Sequence, residues 1–77
     1  MAPQDVQDVP VDEAGIRLGQ FLKLAGIAES GAHARALLEE GEVRVDGELE
    51  QRRGRQLATG AVVVVSLPDG EHAFRVA

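Results

Sequence analysis

The sequence predicts an α+β fold: two packed helices, then a β-hairpin and two further strands that together form a small, mainly antiparallel sheet. Three observations predict it. Apolar residues recur at helical spacing between positions 16 and 38, the period changes to two at Val43, and a β-branched run fills positions 62–65. With 77 residues, the chain has room for one domain. Residues 1–8 read as a flexible acidic tail and residues 9–77 as the single domain.

Each element has its own signal. Val9 and Val11 suggest a short strand. Leu18, Phe21, Leu22 and Ala25 then fall at i, i+3, i+4 and i+7, which places one apolar stripe on a helix over residues 17–25. Gly26 follows as a helix-terminating glycine. Ser30 is a good N-cap for a second helix, which carries Ala34, Leu37 and Leu38 on one side and ends at Gly41. The connection between the helices is short, so they pack as a tight pair. Val43 and Val45 alternate with Arg44, and Asp46-Gly47 is a type I′ turn signal, because both central positions need positive φ. Residues 51–56 (QRRGRQ) are too polar for a buried strand and read as an exposed loop. The run at 62–65 predicts a strand buried on both faces or nearly so. Pro68, Asp69 and Gly70 form a turn, and residues 72–76 alternate as the last strand with Phe74 and Val76 inward.

Composition narrows the function classes. There is no cysteine, so a disulfide framework and a thiolate zinc site are both excluded. The two histidines, His33 and His72, lack further ligand types nearby, and no metal site or cofactor is expected. Only Phe21 and Phe74 are aromatic, which leaves little for base stacking. The longest wholly apolar run, residues 61–65, is far short of the roughly 20 residues that span a bilayer, and the start lacks the basic and apolar regions of a signal peptide. A cytoplasmic, monomeric protein without membrane contact is expected. No phosphate-binding loop, dinucleotide fingerprint or paired-carboxylate spacing occurs. Ser30 and His33 suggest nucleophilic chemistry only superficially, because an N-cap hydroxyl is already occupied by backbone N–H. Binding, not catalysis, is the expected activity.

The net charge of −5 alone would argue against a nucleic-acid partner. Its distribution reverses that argument. Four of the 13 acidic residues lie within the first 13 positions, where there is no basic residue, so the rest of the chain is almost balanced. Arg52, Arg53 and Arg55 crowd one loop and repel one another unless an anion or acidic side chain relieves them. Glu48 and Glu50 are near enough in sequence to supply that relief internally. RNA phosphate is the alternative source, and the reading favoured here.

At this point the sequence resembles a known family. IRLGQFLKLAG, SGAHARALLEEGEVRVDGE and RRGRQLATGAVVVV resemble, in that order, the RNA-binding domain named after the fourth small-subunit ribosomal protein, also called the αL motif. The small stand-alone bacterial members are the nearest in form. The resemblance implies binding of structured RNA, of ribosomal or transfer class, on a concave face made by the helix pair and the hairpin. Carried over by position, it implicates Arg17, Arg35, Arg44 and the loop arginines Arg52, Arg53 and Arg55. Outside that carry-over, Lys23 on the first helix is a weaker candidate, as readily a solvated side chain as a phosphate contact. The Gly31 and Ala32 N–H groups would meet a phosphate at the start of the second helix. Three positions depart from the family pattern: Gly31 stands where many members have Arg, Gly19 where many have Asp, and Ala61 where others have Asp. His33 would replace the missing cation only below about pH 6.5.

A rival reading from another class keeps the fold and changes the partner. In it the chain is a protein-interaction adaptor that docks a basic or ribosomal protein. The negative net charge and Gly31 favour it, and the arginine loop disfavours it. A sulfur-carrier-like role fails because the chain ends Arg75-Val76-Ala77 and lacks the terminal Gly-Gly that such chemistry needs.

Overall fold

The computed structural model describes residues 5–12 and 15–77. Its elements follow in the order β1 (Val6–Val9), β2 (Ile16–Arg17), α1 (Leu18–Leu24), α2 (Gly31–Glu39), β3 (Val43–Val45), β4 (Glu48–Leu49), β5 (Gln56–Leu57), β6 (Val62–Leu67) and β7 (Gly70–Val76). Five strands form one sheet in the order β1-β7-β6-β3-β4, and β2 with β5 forms a small second one. All pairings are antiparallel except β1 with β7. The α+β expectation, with its mainly antiparallel sheet, agrees with this architecture.

The helices form where the apolar spacing placed them. Leu18, Phe21 and Leu22 of α1 are fully buried, as are Ala34, Leu37 and Leu38 of α2 or nearly so. Gly26 at φ 82° and Gly41 at φ 75° turn the chain out of each helix, a conformation that other residues adopt at a cost. The Ser30 hydroxyl accepts from His33 N at 3.1 Å, closing the start of α2. The helical stripes pack on the inner face of the sheet, where Val43, Val45, Val63, Val65 and Val76 are at most 1% exposed and Phe74 is buried. Each large apolar side chain buried this way contributes roughly 1.5–3 kcal/mol. The hairpin turn is type I′, with Asp46 at φ 51° and Gly47 at φ 87°.

The structure departs from the sequence reading in three places. First, Val6, Gln7 and Asp8, expected within the flexible tail, lie in β1 beside Ala73, Phe74 and Arg75. The edge of β7 supplies backbone partners, Val9 is buried, and Asp8 pairs with Arg75 at 3.2 Å. Residues 1–4 of that expectation lie outside the described residues. Deleting residues 1–8 therefore strips a strand from the sheet, and thermal unfolding should show a Tm lower by on the order of 5–10 °C; an unchanged Tm would mean that β1 contributes nothing. Second, Gln56 leaves the predicted loop and pairs with Arg17, while Leu57 turns into the core at 3% exposure. Third, Val62 and Val64 are only half-buried, because among the described residues no helix covers the outer face of the sheet.

Candidate nucleic-acid interface

Glu50 organises the arginine loop. Its carboxylate is buried beneath the loop, and one oxygen, Oε2, accepts from the backbone N–H groups of Gln51 and Arg52, both at 3.1 Å, and from Arg52 Nε at 3.0 Å. The other, Oε1, accepts from Arg52 Nη2 at 3.1 Å and Arg55 Nη1 at 2.8 Å. The hydrogen bonds from Arg52 and then Arg55 hold the Glu50 carboxyl well below the usual carboxylate range, against the opposing effect of burial. Of the two acids expected near the loop, Glu50 relieves its arginines and Glu48 pairs with neither.

A depressed folded-state pKa stabilises the fold above the ordinary carboxylate value of 4.5. That contribution is lost as the pH falls below 4.5 towards the lower folded value. Glu50→Gln should cost about 1–3 kcal/mol at neutral pH, and it should flatten the decline of stability in acid. Denaturant unfolding at pH 7 and at pH 3 checks both; equal losses at the two pH values would contradict the assigned charge.

With Arg52 and Arg55 turned onto Glu50, Arg53 is the loop arginine without an ion pair among the described residues. Its backbone is fixed against the start of α1: Gly19 N donates to the Arg53 carbonyl at 2.9 Å and Leu18 N to that of Arg55 at 2.8 Å. A Cβ at Gly19 would lie 3.2 Å from Arg53 Cβ and 3.4 Å from its carbonyl oxygen. The absence of a side chain at Gly19 thus lets the loop approach α1. Gly19→Asp should displace Arg53 by several tenths of an ångström, visible as shifted Arg53 and Gly54 amide resonances; unmoved resonances would show that the approach tolerates a side chain.

Docked in this way, the loop closes one side of a groove of about 350 Å³. Arg17, Gly19, Gln20 and Lys23 line it from the α1 side, Gly31 and Ala34 from α2, and Arg53 and Gly54 from the loop. No acidic residue lines it among the described residues. A smaller depression of about 270 Å³ shares Arg53 and adds Arg35, Leu38, Glu39 and Gln51. Arg35 bonds Glu39 at 3.1 Å one turn along α2, with both side chains more than 60% exposed, so solvent screens the pair and an incoming anion can displace it. At the start of α2, the Gly31 and Ala32 N–H groups precede the first intrahelical bonds and have no acceptor among the described residues. A Cβ at Gly31 would meet nothing within 4 Å.

The sequence-predicted residues therefore divide. Arg17, Lys23, Gly31 and Arg53 share the groove, Arg35 borders it, and Ala32 adjoins Gly31 on α2. Arg52 and Arg55 are held by Glu50, although Arg52 stays 75% exposed. Arg44 lies on the outer face of the sheet, because Val43 and Val45 on either side of it face the core. His33 Nδ1 accepts from Glu29 N at 3.1 Å, so a doubly protonated ring would lose that bond. Two residues that shape the groove, Gly19 and Gln20, were not singled out as contacts by sequence reasoning. Gly19 was visible only as a departure from a family pattern, and Gln20 has no sequence signal that separates it from an ordinary solvated residue.

Known proteins are similar to this chain in sequence. The S4 domain family matches residues 9–75. A probable ribosome maturation protein of Bacillus subtilis strain 168, RlbA, is 44% identical over 68 residues, which are 88% of this chain and 92% of that protein. YbcJ of Escherichia coli K12, provisionally named an RNA-binding protein, is 42% identical over 48 residues, 62% of this chain and 69% of its own. The tyrosine–tRNA ligase of Burkholderia lata is 34% identical over 62 residues, 80% of this chain but 15% of the ligase. The similarity to the ligase is thus confined to a small part of that enzyme. With the family matched over most of its length, and a relative of similar size aligned almost end to end, the chain belongs to the S4 domain family.

Proposed function

We propose that this chain is a non-catalytic RNA-binding protein that holds structured RNA, of ribosomal or transfer class, by its phosphates. The observation that carries this reading is the groove in which Arg17, Lys23 and Arg53 converge with no acidic residue in its lining among the described residues. Guanidinium and ammonium groups recognise phosphate oxygens, and the N–H groups of Gly31 and Ala32 add donors on the positive end of the α2 dipole. Arg35 exchanges Glu39 for a phosphate at the border, and Arg52 extends the positive field from its place on Glu50. The family and the names of RlbA and YbcJ support the same partner class. Base edges find few partners in a groove whose polar side chains are mostly cationic, so recognition follows the shape and backbone of the RNA more than its sequence.

Replacing both Arg17 and Lys23 by alanine removes two of the three groove cations. Filter binding with a ribosomal RNA helix should then show affinity lower by about 10–100-fold, while Arg75→Ala, which alters a cation paired to Asp8 elsewhere, should leave it within about twofold. Equal losses in both variants would mean that total charge, and not the groove, governs binding.

A further inference from the structure

The outer face of the five-stranded sheet carries a row of registered neighbours: Leu49, Arg44, Val64, Ala73 and Val6, one from each strand. Two of the three exposed large hydrophobic residues, Val6 at 37% and Leu49 at 55%, stand at its ends. Arg44 sits within it, exposed and without an ion pair among the described residues. Along one side of the row, Ser66 N donates to the Glu42 carbonyl and Ser66 pairs with Glu71, so two carboxylates without an ion pair among the described residues stand on either side of β6, Glu71 on β7 and Glu42 just before β3. Along the other, Asp8 and Arg75 neutralise each other. Within the row Val64 is half-buried and Ala73 is buried, and a mainly apolar row that contains an exposed arginine, with charge along both sides, has the composition of a protein interface.

From this arrangement we infer that the outer sheet face docks a second protein while the groove holds RNA. The partner is a protein segment that buries aliphatic side chains against Leu49, Val64 and Val6, sets a carboxylate on Arg44, and sets lysine or arginine side chains on Glu42 and Glu71. RNA does not suit this face, because Glu42 and Glu71 repel phosphate. Neighbouring strands lie about 4.8 Å apart, so the row spans roughly 19 Å. That is small for a stable two-protein interface, which buries about 800 Å² on each side. The contact is therefore weak alone and works when the RNA already holds both proteins near each other, since a second contact on one particle gains effective concentration. This inference rests on the RNA-binding reading, and its test separates the two.

The probes are purified ribosomal subunits and the protein-free ribosomal RNA extracted from them. Leu49→Asp and Arg44→Glu are exposed changes, and Leu49, at an edge, leaves the core untouched. Each variant is expected to bind the free RNA within about twofold of the wild type and to bind the intact subunit about tenfold more weakly. Unchanged binding to both probes overturns the proposal, and an equal loss on both overturns it in favour of an RNA contact. If the wild type ignores free RNA but binds the subunit, the RNA reading fails, and a loss in the variants still supports the protein contact. Binding to neither probe overturns both readings. A wild-type dimer in sedimentation that Leu49→Asp converts to monomer would assign the row to a second copy of this chain and overturn a foreign partner.

Discussion

Arg53→Glu is expected to weaken binding to structured RNA by about 10–100-fold while leaving Tm within about 2 °C. The side chain has no ion pair among the described residues, and only its backbone is bonded to α1. It lies where the groove and the smaller depression meet, so a carboxylate there repels phosphate in both. The slope of log affinity against log salt should become shallower by about 1, the signature of one lost phosphate contact. Arg55→Glu should behave differently. It removes the 2.8 Å bond to Glu50 and sets a second carboxylate beside a buried one, so stability falls first and affinity follows. Calorimetry and filter binding on the two variants separate the roles, and identical behaviour would contradict the division of labour within the loop.

Gly31→Arg is the second large effect, and it is a gain. Space is open around the position, nothing lies within 4 Å of a Cβ there, and α2 begins with this residue. The new guanidinium joins Arg17, Lys23 and Arg53 in one groove. Affinity should rise by about tenfold and the salt slope should steepen by about 1. Tm should rise slightly, because glycine costs up to about 1 kcal/mol relative to a good helix former. Weaker or unchanged RNA binding in a folded variant would show that the groove is not where phosphate sits.

These two variants mark what the sequence made legible and what it hid. The helices, the hairpin turn and the last strand follow from local periodicity, caps and glycines, which depend on near neighbours alone. β1 was hidden because a parallel pairing between Val6 and Ala73 has no local signature. β5 was hidden because two residues are too few to show a period, although Leu57 among polar neighbours was its trace. In the site, arginine content was legible and arginine direction was not. Three arginines of one loop look alike in sequence, and only the buried Glu50 carboxylate separates the two it binds from the one left for the groove. Arg44 looked equivalent to Arg17 and Arg35, yet the alternation of β3 carries it to the far face of the sheet.

The central claim is that a basic groove on a chain of net charge −5 binds RNA through a few phosphates. The most direct measurement is a titration of the wild-type protein against a structured ribosomal RNA fragment at several salt concentrations. Neutralisation of about three or four phosphates predicts a slope of log affinity against log salt of roughly −2 to −4. No binding at about 50 mM salt, or a slope near zero, would contradict the account.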